Sequence, residues 1–234
     1  MTNVIEGLDA IQAYLDEQEK KFADRGPKTD FFSLKDGDAA KFVFLQEIDK
    51  ASPNYSEKNG LAQFAVEHQH PENFRTHAVC SKAVEGECYG CEQHQKDFKA
   101  GWGPKQNLYV NIAVDTPDGF KVMVMSQSVN KKANIGPAIL EQARELGTIT
   151  DRYFKIKRTG SGRYDTTYTF TPLKEHELDV EGFELFDLKN NVLRSPSYDE
   201  QPAYYERWRE FGDNKAEKSD EPKPTSEAVV NEVW

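Results

Sequence analysis

The residues best spaced for chemistry are His77, Cys80, Cys88 and Cys91. They form two pairs, His77-x2-Cys80 and Cys88-x2-Cys91, with seven residues between Cys80 and Cys88. A tight turn presents two ligands from one knuckle, and two knuckles close a tetrahedral site with metal–ligand distances of about 2.0–2.3 Å. Three thiolates and one imidazole make a common structural zinc set, so the spacing predicts one Zn2+ per chain. Gly86 and Gly90 allow the tight turns such a site needs. Spacing favours His77 as the fourth ligand, with His68, His70 and His94 close enough in sequence to take its place. A total of three cysteines is odd, which argues against a disulfide framework and for a reducing setting.

A catalytic zinc is the competing use of these residues. His70-Pro71-Glu72 followed by Cys88-x2-Cys91 imitates the His-x-Glu and Pro-Cys-x2-Cys layout of zinc deaminases. Glu87 rather than proline precedes Cys88, and Cys80 would fill the coordination position that catalysis needs open. No catalytic residue is therefore expected.

A second group mixes cations with aromatic rings: Lys105, Tyr109, Lys121, Arg152, Tyr153, Lys155, Lys157, Arg158, Arg163, Tyr164 and Tyr168. Single-stranded nucleic acid is held by such a mixture, cations on phosphates and rings stacked on bases at ~1–3 kcal/mol per base. Ordinary cross-strand packing with solvated lysines produces the same pattern. The net charge of -10 would exclude a polyanion partner if it were evenly spread. It is not: residues 96–172 carry net +5, against -3 over 1–30, -4 over 31–95 and -8 over 174–234. Local field, not total charge, governs anion capture. No apolar run approaches the ~18–20 residues of a membrane span. The first residues, MTNVIEGLDAIQ, lack the basic-then-apolar order of a secretory signal.

The elements that must position these groups follow from periodicity. Apolar spacing predicts a helix within 4–24, stopped by Gly26-Pro27. Phe31–Ile48 reads as strand, turn and strong strand over Lys41–Ile48, and 51–76 as irregular. Asn107–Asp115 and Phe120–Ser126 form a hairpin through a three-residue loop, Pro117-Asp118-Gly119. That loop sets Val114 against Val122 and Ile112 against Val124, leaving Tyr109, Asn111, Lys121 and Met123 on the other face. A helix begins around Pro137 and ends at Gly147. Asp151–Thr159 and Arg163–Thr171 form a second hairpin through Gly160-Ser161-Gly162, with Phe154 against Tyr168 and Ile156 against Thr166. Tyr153, Lys155 and Lys157 then share the opposite face; Tyr164 and Tyr168 join them only if the register slips by one. Beyond Pro172, Glu175–Asp187 holds six acids and no Lys or Arg, Tyr198–Phe211 reads as an aromatic-rich helix, and Asp213–Glu232 is too polar to fold alone.

The expected fold is α+β, mainly β: an open five-stranded, oligonucleotide-binding-like (OB) barrel with an inserted zinc subdomain. The expected divisions are a helical arm over 1–30, a core over 31–172 with the knuckle at 77–94, an acidic extension with a helix over 173–212, and an acidic tail over 213–234.

Five stretches carry a resemblance: FFSLKDGDAAKFVFLQEID, THAVC…CYGCE, NLYVNIAV with its partner strand, the helix ending RELG, and RYFKIKRTGSGRYDTTYTFTPL, followed by an acidic end. In these the chain resembles the single-stranded DNA-binding proteins of tailed bacteriophages, across about residues 31–172 and the C-terminal segment. The T-even type of that family implies an OB barrel, an inserted zinc subdomain with one His and three Cys, and an acidic tail. It implies coating of single strands in phage replication, recombination and repair, in the cytoplasm of an infected bacterium. It also implies contacts between the tail and replication proteins of phage or host, and possible self-association on DNA. Trp234 matches the terminal aromatic of one subfamily. In the T-even layout the His lies further upstream of the first Cys, which keeps His68 in contention. Lys215, Lys218 and Lys223 interrupt the acidic tail. Physically, that tail could compete with DNA for the basic groove or offer its acids and Trp234 to a partner. The alternative reading is a zinc-ribbon interaction or regulatory protein that binds a protein or RNA.

Overall fold

The strongest apolar alternation makes the longest strand, and the sheet is built around it. In the computed structural model, which describes residues 7–23, 29–73, 75–130, 135–162 and 165–211, this is β4, Lys105–Thr116. Leu108, Val110, Ile112 and Val114 point into the main core. Tyr109 and Ala113 pack in two separate clusters on the opposite, outer face. One edge of β4 pairs from Asn107 to Thr116 with β5 (Gly119–Ser128). Its other edge is shared. β2 (Gln63–Gln69) takes the Lys105–Tyr109 end, and β1 (Ala39–Phe44) takes Ile112–Val114. From β1 the sheet continues to β6 (Arg152–Thr159) and β7 (Thr167–Glu175), and from β2 to β3 (His77–Val79).

The result is an α+β fold with a seven-stranded, mostly antiparallel open sheet, compatible with an open barrel. Three short or medium helices precede α4: α1 (Leu8–Ala23), α2 (Lys82–Glu85) and α3 (Tyr89–Lys96). Helix α4 (Ile135–Leu146) lies between β5 and β6 in the chain and touches both β5 and β7. Its Ile135 and Ile139 close the core of Phe42, Phe44, Ile112, Met125 and Phe154. Gly147, at φ 75°, ends it as expected. Strand β1 stops at Phe44, short of the expected Ile48. Just beyond it, Glu47 is 2% exposed and accepts from Thr148 Oγ1, Ile149 N, Thr150 N and Thr150 Oγ1, which ties β1 to the α4–β6 connection.

Both hairpins differ in register from expectation. Thr116 pairs with Gly119, so the first loop is only Pro117-Asp118. Thr116 Oγ1 donates to Gly119 O at 2.5 Å and holds the turn closed. The partner slides by one residue, setting Ala113 against Val122, Ile112 against Met123 and Val114 against Lys121. Lys121 and Met123 therefore leave the Tyr109 face. In the second hairpin the last pair is Thr159–Thr167, so the loop spans residues 160–166. Asp165 Oδ1 accepts from Gly162 N at 2.6 Å, and Thr166 Oγ1 donates to Gly162 O at 2.6 Å. Backbone groups the short loop would have put in the ladder are satisfied by side chains instead. Ile156 then opposes Phe170, and Arg158 opposes Tyr168.

The segment expected to be irregular contains β2, whose Glu67, His68 and Gln69 hide its strand pattern from a hydrophobicity reading. The expected boundary after 172 separates in sequence what packs together in space. Leu178, Val180, Phe183 and Leu185 cover Val43, Leu45, Ala113, Phe120, Val122 and Tyr153 on the outer face. Leu188 and Val192 cover Tyr109, Val124 and Ala65. Asn111 pins this strap at its centre: its Oδ1 accepts from Phe186 N at 3.1 Å and its Nδ2 donates to Phe186 O at 3.0 Å. Asn111→Ala should cost ~2–3 kcal/mol in urea denaturation, since two backbone groups and Gln46 lose buried partners. A cost under ~0.5 kcal/mol would mean the strap does not depend on this pair.

Candidate metal centre and nucleic-acid interface

Cys80 follows β3, Cys88 stands at the N-cap of α3 and Cys91 lies within α3. The fourth member of their cluster is His68 of β2, not His77. The four ligand atoms lie within 4.8 Å of one another. Cys80 Sγ is 3.6 Å from Cys91 Sγ, and Cys91 Sγ is 3.3 Å from His68 Nε2. A tetrahedral zinc-sized ion would set these separations at about 3.8 Å and 3.5–3.6 Å. The donor set thus fits a tetrahedral metal ion in both chemistry and spacing. His68 Nδ1 meets Trp102 O at 2.7 Å, which fixes the ring with Nε2 towards the sulfurs. Gly90 lies against that ring, where a Cβ would overlap it, and this explains the residue type at the centre of Cys88-x2-Cys91.

The electrostatics also ask for a cation. Burial pushes the Cys88 thiol up, but hydrogen bonds from the His68 ring and from the Cys91 and Ser81 backbone outweigh it and hold it at about 6. Burial, with the neighbouring Cys80 and Cys88 sulfurs, pushes Cys91 up to about 12. Cys91 therefore resists becoming a thiolate beside the other two sulfurs until a positive ion joins them.

His77 is excluded from the cluster by strand alternation: it sits opposite Gln69, one residue along β2 from His68. Its Nδ1 instead meets Glu67 Oε1 at 2.9 Å. Glu67 also accepts from Asn107 Nδ2 at 2.9 Å and Tyr109 Oη at 2.5 Å. Burial opposes the charge on Glu67, yet these bonds keep its carboxyl below the usual range. His70 is buried with its ring against Trp102, and His94 packs on Phe98.

No known protein family, curated protein or solved structure matches this chain. The site's chemistry therefore has to be read from its residues.

The basic and aromatic residues separate into three groups. Some are committed to the fold. Tyr109 is 2% exposed under the strap and bonded to Glu67, so it cannot stack on a base. Lys121 pairs with Asp30 at 2.9 Å. Arg152 is held by Asp151 at 2.7 Å and approaches Glu175 at 3.8 Å. Arg158 donates to Leu34 O at 2.7 Å, and Tyr168 packs against the core, because both point inward. Tyr153 faces outward but is half-buried, with Lys41 Nζ 3.8 Å above its ring and His176 on its edge. A second group is open: Lys155, Lys157 and Lys105 are exposed. Lys155 and Lys157 lie beside Lys41 and Ala39 on one flank and Thr171 and Thr169 on the other. Lys105 lies apart, over the Glu67 network at the β2 end of the sheet. The third group, Arg163, Tyr164 and Trp234, lies outside the described residues. Phe64 of β2, a ring the sequence reading passed over, is 57% exposed.

No helix among the described residues is long and apolar enough to cross a membrane.

Proposed function

We propose that this chain is a single-stranded DNA-binding protein, with β1, β4, β5, β6 and β7 forming an OB barrel and a structural zinc ion held by His68, Cys80, Cys88 and Cys91. The observation that carries the DNA reading is the outward pair Lys155 and Lys157 of β6, flanked by Thr169 and Thr171 and by Lys41 of β1, which is itself paired with Asp115 at 3.2 Å. Lys155 and Lys157 have no ion-pair partner among the described residues. They are two cations ready for phosphates on an acidic protein. Zinc fits the donor set and would organise the knuckle; with four protein ligands it leaves no position open for substrate. The resemblance to tailed-phage proteins supports a role in replication, recombination and repair within an infected bacterium, with replication proteins as tail partners.

Because Tyr109 and Tyr153 are covered, phosphate contacts rather than stacking dominate. Affinity for oligo-dT should fall steeply with salt, each phosphate contact contributing about 0.7 to the logarithmic slope. Lys155→Ala with Lys157→Ala should weaken binding roughly tenfold at low salt and reduce the slope by about 1.4. Parent-like affinity and slope in the double variant would remove this face from the interface. The covering of the two tyrosines is also what favours a second reading, an interaction protein with a zinc ribbon. That protein would ignore oligo-dT at every salt concentration.

A further inference from the structure

Helix α5 (Gln201–Phe211) begins on a wholly buried glutamine. Gln201 Oε1 accepts from Tyr89 N at 2.9 Å and lies 3.5 Å from Cys88 Sγ. Its Nε2 donates to Ser81 Oγ at 2.9 Å. Ser81 follows Cys80 and Tyr89 follows Cys88, so one amide spans both cysteine knuckles. Cys88 sits at the N-cap of α3 without making a side-chain cap bond. The first helical N–H there would lack a partner, and Gln201 supplies it. One turn on, buried Tyr205 donates to His68 O at 3.1 Å. Helix α5 thus touches a metal-ligating residue, or its neighbour, in both knuckles and in β2.

We infer that Gln201 is a positioning residue of the metal centre, and that metal loading and docking of α5 are one coupled event. The inference rests on the metal reading above. Eleven residues are fewer than the ~12–15 at which an isolated helix becomes even marginal in water, so α5 owes its form to its socket. That socket is the pair of knuckles the metal would fix. Coupling of this kind is reciprocal: metal that orders the socket holds the helix, and the helix strengthens metal binding by the same factor.

The test uses three full-length proteins: the parent, Gln201→Met, which keeps volume and removes the amide, and Tyr205→Phe. Zinc content of the parent is measured first. Competition with a chromophoric chelator gives zinc affinity, and hydrogen exchange of residues 203–207 reads docking. Gln201→Met should lower zinc affinity by about 10–100-fold while still reaching one zinc per chain at saturation. Chelating the parent should speed exchange in α5 at least about tenfold while β4 and β6 stay protected. Parent affinity in Gln201→Met, or α5 exchange that chelation leaves unchanged, overturns the coupling. So does loss of protection throughout β4 and β6, which would make the effect global. A parent without zinc overturns the metal reading itself, before any variant is compared. If Gln201→Met does not fold, Tyr205→Phe decides in its place, with several-fold weaker zinc binding expected and parent affinity contradicting the inference.

Discussion

His68→Ala should strip the chain of its metal, while His77→Ala should leave the metal in place. The contrast is large because structural zinc sites contribute ~10–16 kcal/mol of apparent binding free energy in small domains, and removing one of four ligands forfeits much of it. His68 Nε2 faces the sulfurs, with its other nitrogen anchored on Trp102 O. His77 donates to Glu67 from the next strand and reaches no sulfur of the cluster. Its loss should cost ~1–3 kcal/mol of stability, from a buried carboxylate deprived of one donor. Gly90→Ala should resemble His68→Ala, because the added methyl overlaps the imidazole. Metal analysis after chelator challenge reads all three. Retained metal in His68→Ala together with lost metal in His77→Ala would reverse the ligand assignment.

Glu47→Ala should be the most damaging substitution away from the knuckle, at ~3–5 kcal/mol in urea denaturation. The carboxylate is almost fully buried and collects the donors of three consecutive residues, Thr148, Ile149 and Thr150. Alanine leaves two backbone N–H groups and the Thr150 hydroxyl without their acceptor, and leaves the Thr148 hydroxyl only the bond it accepts from Asn54 Nδ2, at the point where α4 hands over to β6. Four of the bonds converge on Oε1, so Glu47→Gln keeps most of them and should cost only ~1–2 kcal/mol. Equal losses in the two variants would show that charge, not acceptor placement, holds the junction.

These two sites also mark how far the sequence could be read. Helix α4, strand β4 and the three cysteine positions were legible, because apolar periodicity and Cys-x2-Cys spacing are local signals. The fourth ligand was not. Spacing pointed to His77, but β2–β3 pairing turns His77 towards Glu67 and brings His68 to the sulfurs from ten residues or more away. Loop lengths misled for a similar reason. Thr116, Asp165 and Thr166 settle backbone bonds with their side chains, which shifts both hairpins; the one-residue slide in the first moves Lys121 to the other face, while the four-residue slide in the second leaves Tyr168 on the inner face that was expected. The strap was read as an acidic extension from its charges. Its apolar residues, the half-buried Leu178, Val180, Phe183 and Leu185 and the buried Leu188 and Val192, are interspersed among those acids and cover the face on which Tyr109 and Tyr153 were expected to stack bases. Lys155 and Lys157 came through unchanged, since strand alternation alone places them outward.

The most direct measurement of the functional reading is equilibrium binding of the full chain to fluorescent oligo-dT across a salt series, with the Lys155→Ala, Lys157→Ala double variant alongside. The reading predicts tight binding at low salt, a linear fall of log affinity with log salt, and a slope shallower by about 1.4 in the double variant. No binding at the lowest salt, or a parent affinity indifferent to salt, would contradict it.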